Sequence, residues 1–179
     1  MKTTQILIAG FGGQGILFSG KFLAHKGLME ELQVSWLPSY GPEMRGGTAN
    51  CNVILSDSPV GSPIITTPDV LIAMNLPSLQ KYVNTVAKGG QIYIDSSLID
   101  VKVERDDVEV FYIPATQMAK DEGIGSLANM IIVGHLLENH PELSFDGASE
   151  VVENLVPPKK AALKELNMKA LSLGKNYNK

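Results

Sequence analysis

With a single cysteine, Cys51, in 179 residues, the chain cannot form an internal disulfide and lacks the CxxC pairs of a zinc site. Nor can it supply four thiolates to an iron–sulfur cluster by itself. Histidine is as scarce: His25, His135 and His140. The last two are five apart rather than at the i,i+4 spacing of two ligands on one helical face, and no HExxH pattern surrounds them, so no metal site is expected. Long basic runs are absent. Lys159-Lys160 and the scattered C-terminal lysines are the only clusters in a chain of net charge −4, which argues against electrostatic binding of nucleic acid. The apolar stretches fall far short of the ~20 residues that cross a bilayer. The opening Met-Lys-Thr-Thr-Gln leads straight into a strand-like run with no ordered leader, apolar core and cleavage site. No membrane span and a cytoplasmic location are therefore expected. Charged residues make up 19%, below the usual ~25%. That suits a domain hiding part of its surface in an assembly as well as it suits an ordinary compact one.

What is present reads as strands alternating with helices. Thr4 to Ala9, Gln33 to Leu37 (stopped by Pro38), Thr48 to Leu55, Val70 to Met74, Gln91 to Asp95 and Val108 to Ile113 have strand character. Ile16 to Glu31 carries Ile16, Phe18, Phe22, Leu23 and Met29 at spacings of four and seven, the pattern of a helix on a sheet. Pro77 opens a second helix that Lys88-Gly89-Gly90 ends. Further helices are expected from Pro114, over Ser126 to Asn139, Ser144 to Leu155 and Lys159 to Leu173. The expected fold is α/β: a mostly parallel sheet with helices on both faces, a Rossmann-like glycine turn and a helical C-terminal extension, in one domain spanning 1–179.

Gly10, Gly12 and Gly15 complete a GxGxxG pattern between the first strand and the first helix, with Gly13 and Gln14 between them. Glycines permit close approach of a ligand to the backbone, and the helix N-terminus offers N–H groups to an anion. A dinucleotide site needs in addition a carboxylate at the end of the second strand, for the ribose hydroxyls. Here that strand ends Ser35-Trp36-Leu37-Pro38. No Gly-Lys-Ser/Thr follows the glycines either, which excludes a P-loop. The turn is expected to meet an anion or a partner chain, or simply to let helix and strand pack closely.

A second loop, Leu37 to Asn50 (LPSYGPEMRGGTAN), sets Tyr40, Glu43, Met44 and Arg45 among prolines and glycines, ending in Gly46-Gly47. A stiff loop displaying Tyr, Glu and Arg suits a recognition surface. Arg45 is its candidate anchor, by bidentate pairing with a carboxylate. No nucleophile–base pair stands out anywhere, so no catalytic residue is expected in this chain.

Together, GFGGQG at 10–15 and PSYGPEMRGG at 38–47 closely resemble the gamma subunit, or gamma domain, of 2-oxoacid:ferredoxin oxidoreductases. Ser56-Asp57, Pro63, the run Asp69 to Asn75, Gly89-Gly90 and Asn129-Met130 extend the resemblance from about Ile6 to Leu137. Ile124 departs from it, standing where a polar residue commonly follows the glycine. The resemblance implies a complex that oxidatively decarboxylates a 2-oxoacid (pyruvate, 2-oxoglutarate, a branched-chain 2-oxoacid or indolepyruvate) with coenzyme A, giving acyl-CoA, CO2 and reduced ferredoxin. It implies thiamine diphosphate with Mg2+ as the electron sink, held chiefly by alpha and beta subunits, and iron–sulfur clusters in beta or delta. The single cysteine and the lack of a GDG-type thiamine motif agree with a chain that binds no cofactor alone. Its expected partners are the alpha and beta subunits, with delta as a further candidate, and ferredoxin as the acceptor of the complex. Its expected role is structural and interfacial. The alternatives are a stand-alone nucleotide-binding oxidoreductase, suggested by the glycine pattern, and a non-catalytic binding module.

Overall fold

The computed structural model describes residues 2–40 and 48–178. The chain runs β1 (Thr3–Phe11), α1 (Ile16–Met29), β2 (Gln33–Tyr40), β3 (Thr48–Ser56), β4 (Val70–Ala73), α2 (Leu76–Tyr82), β5 (Gln91–Asp95), β6 (Glu109–Ile113), α3 (Ala115–Asp121), α4 (Ala128–Asn139), α5 (Ala148–Leu155) and α6 (Ala161–Lys175). Short 3-10 turns follow α2 and precede α6.

These strands form one sheet in the order β2-β3-β1-β4-β5-β6. The β1–β4, β4–β5 and β5–β6 pairings are parallel, whereas β3 runs antiparallel to both β1 and β2. Five of the six strands thus point the same way, as the mostly parallel expectation requires. The antiparallel β3, inserted between the first two strands, is a feature the sequence reading did not contain. The central strands read as near-continuous apolar runs because both of their faces are covered. On one face Ile6, Ile8, Val70, Ile72 and Tyr93 pack against α1, α4, α5 and α6. On the other, Leu7, Leu71, Ala73, Ile92 and Ile94 pack against α2 and the segment around Ile99. Each fully buried Ile or Leu contributes about 1.5–3 kcal/mol to this arrangement.

Pro38 does not stop β2, contrary to expectation. The strand continues to Tyr40, with Pro38 opposite Cys51 on β3. The reason is position: β2 is a sheet edge, where a missing N–H that points away from the partner strand costs no ladder bond. The second helix also ends earlier than Gly89. After Tyr82 the chain makes one 3-10 turn at Val83–Thr85. Arg105 draws the carbonyls of Val83 and Val86 onto one guanidinium nitrogen at 2.8 and 2.9 Å, satisfying groups that a longer helix would have used. The C-terminal helices belong to the main core. Ala170 and Leu171 of α6 are fully buried, and α6 lies against α4. No helix among the described residues is long and apolar enough to cross a membrane.

Candidate functional site: two loops at one end of the sheet

β1 leads through Phe11 into the glycine turn, and the turn leads into α1. Gly13 (φ 96°) and Gly15 (φ 75°) adopt left-handed backbone that only glycine enters without cost. Gly15 caps α1 with no side-chain cap of its own. Gly10 is needed for another reason: a Cβ there would lie 2.6 Å from Oε1 of Gln14 and 2.8 Å from Cβ of Met74. The close approaches that the motif promised are therefore made by this chain's own side chains. At Gly15 the neighbour is Asn129 of α4, whose Nδ2 donates to the Gly15 carbonyl at 3.1 Å and to Ser19 Oγ at 2.9 Å.

Gln14 ties the turn to β4. Its Oε1 accepts the Phe11 N–H at 2.7 Å, and its Nε2 donates to the Met74 carbonyl at 2.9 Å. Around the turn, Asn129 Oδ1 and Asn75 Nδ2 are buried with no hydrogen-bond partner among the described residues. Asn75 uses its other amide atom to cap α2, accepting from Ser78 N–H at 2.8 Å. Gln14 was named from the sequence as a member of the turn. The parts played by Asn75 and Asn129 were not legible there, since nothing local marks a contact with a residue 114 positions away.

The turn lies where a nucleotide site would be sought. α1 leaves β1 toward one face of the sheet and α2 leaves β4 toward the other, so the carboxyl ends of these adjacent parallel strands form a switch point. The remainder of a dinucleotide site is missing. In such sites the second strand lies next to the first and brings an acidic residue to the ribose. Here β3 separates β2 from β1, and the described end of β2, Trp36-Leu37-Pro38-Ser39-Tyr40, carries no carboxylate.

Tyr40, the last residue of β2, pairs through its backbone with Ala49. The remaining members of the second loop, Glu43, Met44, Arg45, Gly46 and Gly47, lie outside the described residues. The ends of that loop are nonetheless fixed: Thr48, its first described successor, stands directly opposite Phe11 in the β1–β3 ladder. The fold thus brings the glycine turn and the two described ends of the second loop to one end of the sheet. At this end Phe11 is 37% exposed, and Gly13 has open space around it.

Elsewhere, ionisable groups serve structure. Cys51 is completely buried beneath α1, and burial pushes its thiol up to about 12 against weaker opposing hydrogen bonds from Trp36 and the Gly20 backbone. Burial, and secondarily Glu109, raises the Tyr93 phenol. Burial lowers both His135 and His140. At the far end of the sheet a pocket of about 380 Å3 is lined by Asp69, Lys88, Gln91, Glu109 and His140. Its carboxylates are already engaged: Asp69 accepts from Gln5 N–H and Glu109 from Gln91 Nε2, each at 2.8 Å. No group of three or more His, Cys, Asp or Glu among the described residues is placed to hold a metal ion.

Comparison with known proteins agrees with this architecture. The model of the pyruvate ferredoxin/flavodoxin oxidoreductase family matches residues 5–177. The chain is 40% identical over 136 residues to ketoisovalerate oxidoreductase subunit VorA of Methanothermobacter marburgensis, covering 76% of this chain but only 28% of that relative. The 2-oxoglutarate synthase subunit KorC of the same organism is 34% identical over 178 residues, covering 96% of this chain and 94% of that one. Among solved structures, the gamma subunit of a keto/oxoacid ferredoxin oxidoreductase from Geobacter sulfurreducens superposes with TM-score 0.79 at 29% identity, over 96% of this chain and 95% of that one. The family match over residues 5–177 and the near end-to-end identity to KorC thus lead to one assignment: the chain belongs to the pyruvate ferredoxin/flavodoxin oxidoreductase family.

Proposed function

We propose that this chain is the gamma-type subunit of a 2-oxoacid:ferredoxin oxidoreductase, an enzyme complex that it helps to assemble and in which other chains perform the chemistry. The observation that carries the reading is the near end-to-end match to a separate 2-oxoglutarate synthase subunit. The complex converts a 2-oxoacid and coenzyme A to acyl-CoA, CO2 and reduced ferredoxin, in the cytoplasm. Thiamine diphosphate with Mg2+, and the iron–sulfur clusters, belong to the alpha, beta or delta partners. The donor chemistry of this chain supports that division. Its one thiol is buried and keeps its proton far above neutral pH, which does not suit a cluster ligand.

This chain's share is to present a contact surface at the carboxyl end of β1. Its glycine turn, Gly10 to Gly15, and the loop bearing Tyr40, Glu43, Met44, Arg45, Gly46 and Gly47 form that surface together. Both anion and partner contact are open to the turn, from which Phe11 and Gly13 face outward. Purification of the native complex through a tag on this chain tests the proposal. Thiamine-enzyme and ferredoxin-like chains should accompany it, and 2-oxoacid-dependent ferredoxin reduction should require this chain together with them. Turnover by this chain alone, or its isolation without such partners from cells using 2-oxoacids, would overturn the reading.

A further inference from the structure

β2 and β6 are the two edges of the sheet, and they are built differently. β6 has five residues and opens with the carboxylate of Glu109. β2 has eight, Gln33–Tyr40, and none of them is charged. Edge strands are ordinarily guarded by short length, charge or proline, because their free backbone groups accept any extended segment. In β2 the only such guard is a proline, and it comes late, at Pro38. Parity fixes which groups are free. Pro38 lies within the β2–β3 ladder, so its nitrogen points away from β3. With a period of two, the N–H and C=O of Val34 and Trp36 point the same way. Among the described residues no hydrogen bond reaches these four groups, whereas the Leu32 N–H is taken by the Gly27 carbonyl at 3.0 Å. The open stretch ahead of Pro38 is therefore Val34 and Trp36.

Two residues with outward N–H and C=O groups, one residue apart, are complementary to the same pair running antiparallel. Laid edge to edge about a two-fold axis at Ser35, Val34 of each copy meets Trp36 of the other, and all four outward N–H and C=O groups of each copy are satisfied. The side chains fit this register. Val34 packs on the core beneath α1, and the Trp36 indole lies beside Gly20 of the same helix, 38% exposed. Each exposed indole would lie across from a valine, an aromatic and β-branched pair that stabilises neighbouring strands. On the other face Leu37, 37% exposed, would come opposite Gln33. There a cavity of about 470 Å3 is lined by Gln33, Val34, Ser35, Pro59, Val60 and Pro63, with no charge among them. Such a cavity suits an aliphatic side chain, and Ser35 is small enough to meet its own copy on the axis.

We propose that the β2 edge is a self-association surface. Two copies of this chain pair β2 to β2, antiparallel and centred on Ser35, and their two six-stranded sheets become one continuous sheet. Pro38 limits the pairing to the first half of the strand and so sets its register. The inference concerns the edge alone and does not depend on the proposed complex.

The test uses the full chain in sedimentation equilibrium over a range of concentrations. The wild type should show a monomer–dimer equilibrium. Ser35→Lys places two ammonium groups on the axis, and Leu37→Lys drives a charge against the uncharged cavity. Each should weaken dimerisation at least about tenfold. Leu98→Lys, at an exposed apolar residue away from β2, should not change it. Register is read by cross-linking. Ser35→Cys should form a disulfide-linked dimer under mild oxidation, because the two axial residues form a non-hydrogen-bonded pair at disulfide distance. Gln33→Cys, opposite Leu37 of the other copy, should not, and the native Cys51 is buried. A chain that stays monomeric up to its solubility limit overturns the proposal. So does a dimer that both lysine variants leave intact, or one in which Gln33→Cys links as readily as Ser35→Cys. If a lysine variant does not fold, the cross-linking comparison decides.

Discussion

Gly134 of α4 and Gly174 of α6 face each other, and each allows the other helix to approach within backbone contact. A Cβ on Gly134 would overlap the Leu171 carbonyl, and one on Gly174 would overlap the Ile131 carbonyl. The approach also lets His135 Nδ1 reach the Gly174 carbonyl at 3.1 Å. Overpacking of a close helix contact costs about 1–3 kcal/mol and more where backbone blocks relief. Gly134→Ala and Gly174→Ala should each destabilise the chain by roughly 3 kcal/mol, read as a lower midpoint in urea unfolding. Gly61→Ala, where an added methyl meets open space, should leave the midpoint unchanged.

The glycine turn separates two costs of substitution. Gly13→Ala must hold left-handed backbone but finds nothing within 4 Å, so it should lose only about 1–2 kcal/mol. Gly15→Ala meets the same backbone cost and also drives a methyl to within 2.5 Å of Asn129 Nδ2. Relief requires breaking the amide's bonds to the Gly15 carbonyl and Ser19. It should lose about 2 kcal/mol more than Gly13→Ala. Equal losses at the two positions, measured by thermal or chemical denaturation, would show that Asn129 is not a fixed neighbour.

The Cys51 thiol predicts both a reactivity and a pH dependence. Burial holds its pKa at about 12 in the folded chain against 9.0 for the free group. Thiolate is the reactive form, so a thiol reagent at neutral pH should label the native chain far more slowly than the denatured one. The linkage has a definite sign. Above pH 9.0 the unfolded chain releases this proton and the folded chain keeps it, so stability is complete below that value and declines toward pH 12. The slope is about 1.4 kcal/mol per pH unit for the one group. Tyr93, raised in the same direction by burial, steepens the loss above pH 10. Cys51→Ala should remove the first part of this decline while keeping the second.

Arg45 carries the prediction for assembly. It belongs to a proline- and glycine-rich loop that leads into Thr48, which stands opposite Phe11 in the β1–β3 ladder. Arg45→Ala should therefore leave the melting temperature of the lone chain nearly unchanged while weakening its binding to the catalytic subunits by on the order of 2 kcal/mol. The check is a melting curve beside a binding titration with the partner subunits. Undiminished binding rejects Arg45 as the anchor, and unfolding of the variant assigns it to an internal pair instead.

Much of this architecture was open to reading from local pattern. Apolar runs such as Val70 to Ala73 mark strands covered on both sides, and glycine or proline marks most boundaries. Errors arose where a distant partner set the outcome. Pro38 signals a strand end in any central strand, and only the edge position of β2 makes it harmless. Tyr82 to Val86 continues a helical pattern, but Arg105, from beyond β5, takes the carbonyls and ends the helix.

The sequence by itself determined the alternation of strands and helices, the strand–turn–helix at Gly10 to Gly15, the lack of cluster-forming cysteines and, through two paired motifs, the family. These depend on spacing, backbone freedom and composition, all local to the chain. Tertiary structure alone decided that β3 enters antiparallel between β1 and β2, that Asn129 grips the turn, and that Gln14 ties it to β4. Strand order and side-chain partners are chosen by competition among contacts far apart in the chain, such as the 60 residues from Gln14 to Met74. A glycine pattern permits close approach to the backbone, whereas only the packed fold determines what approaches.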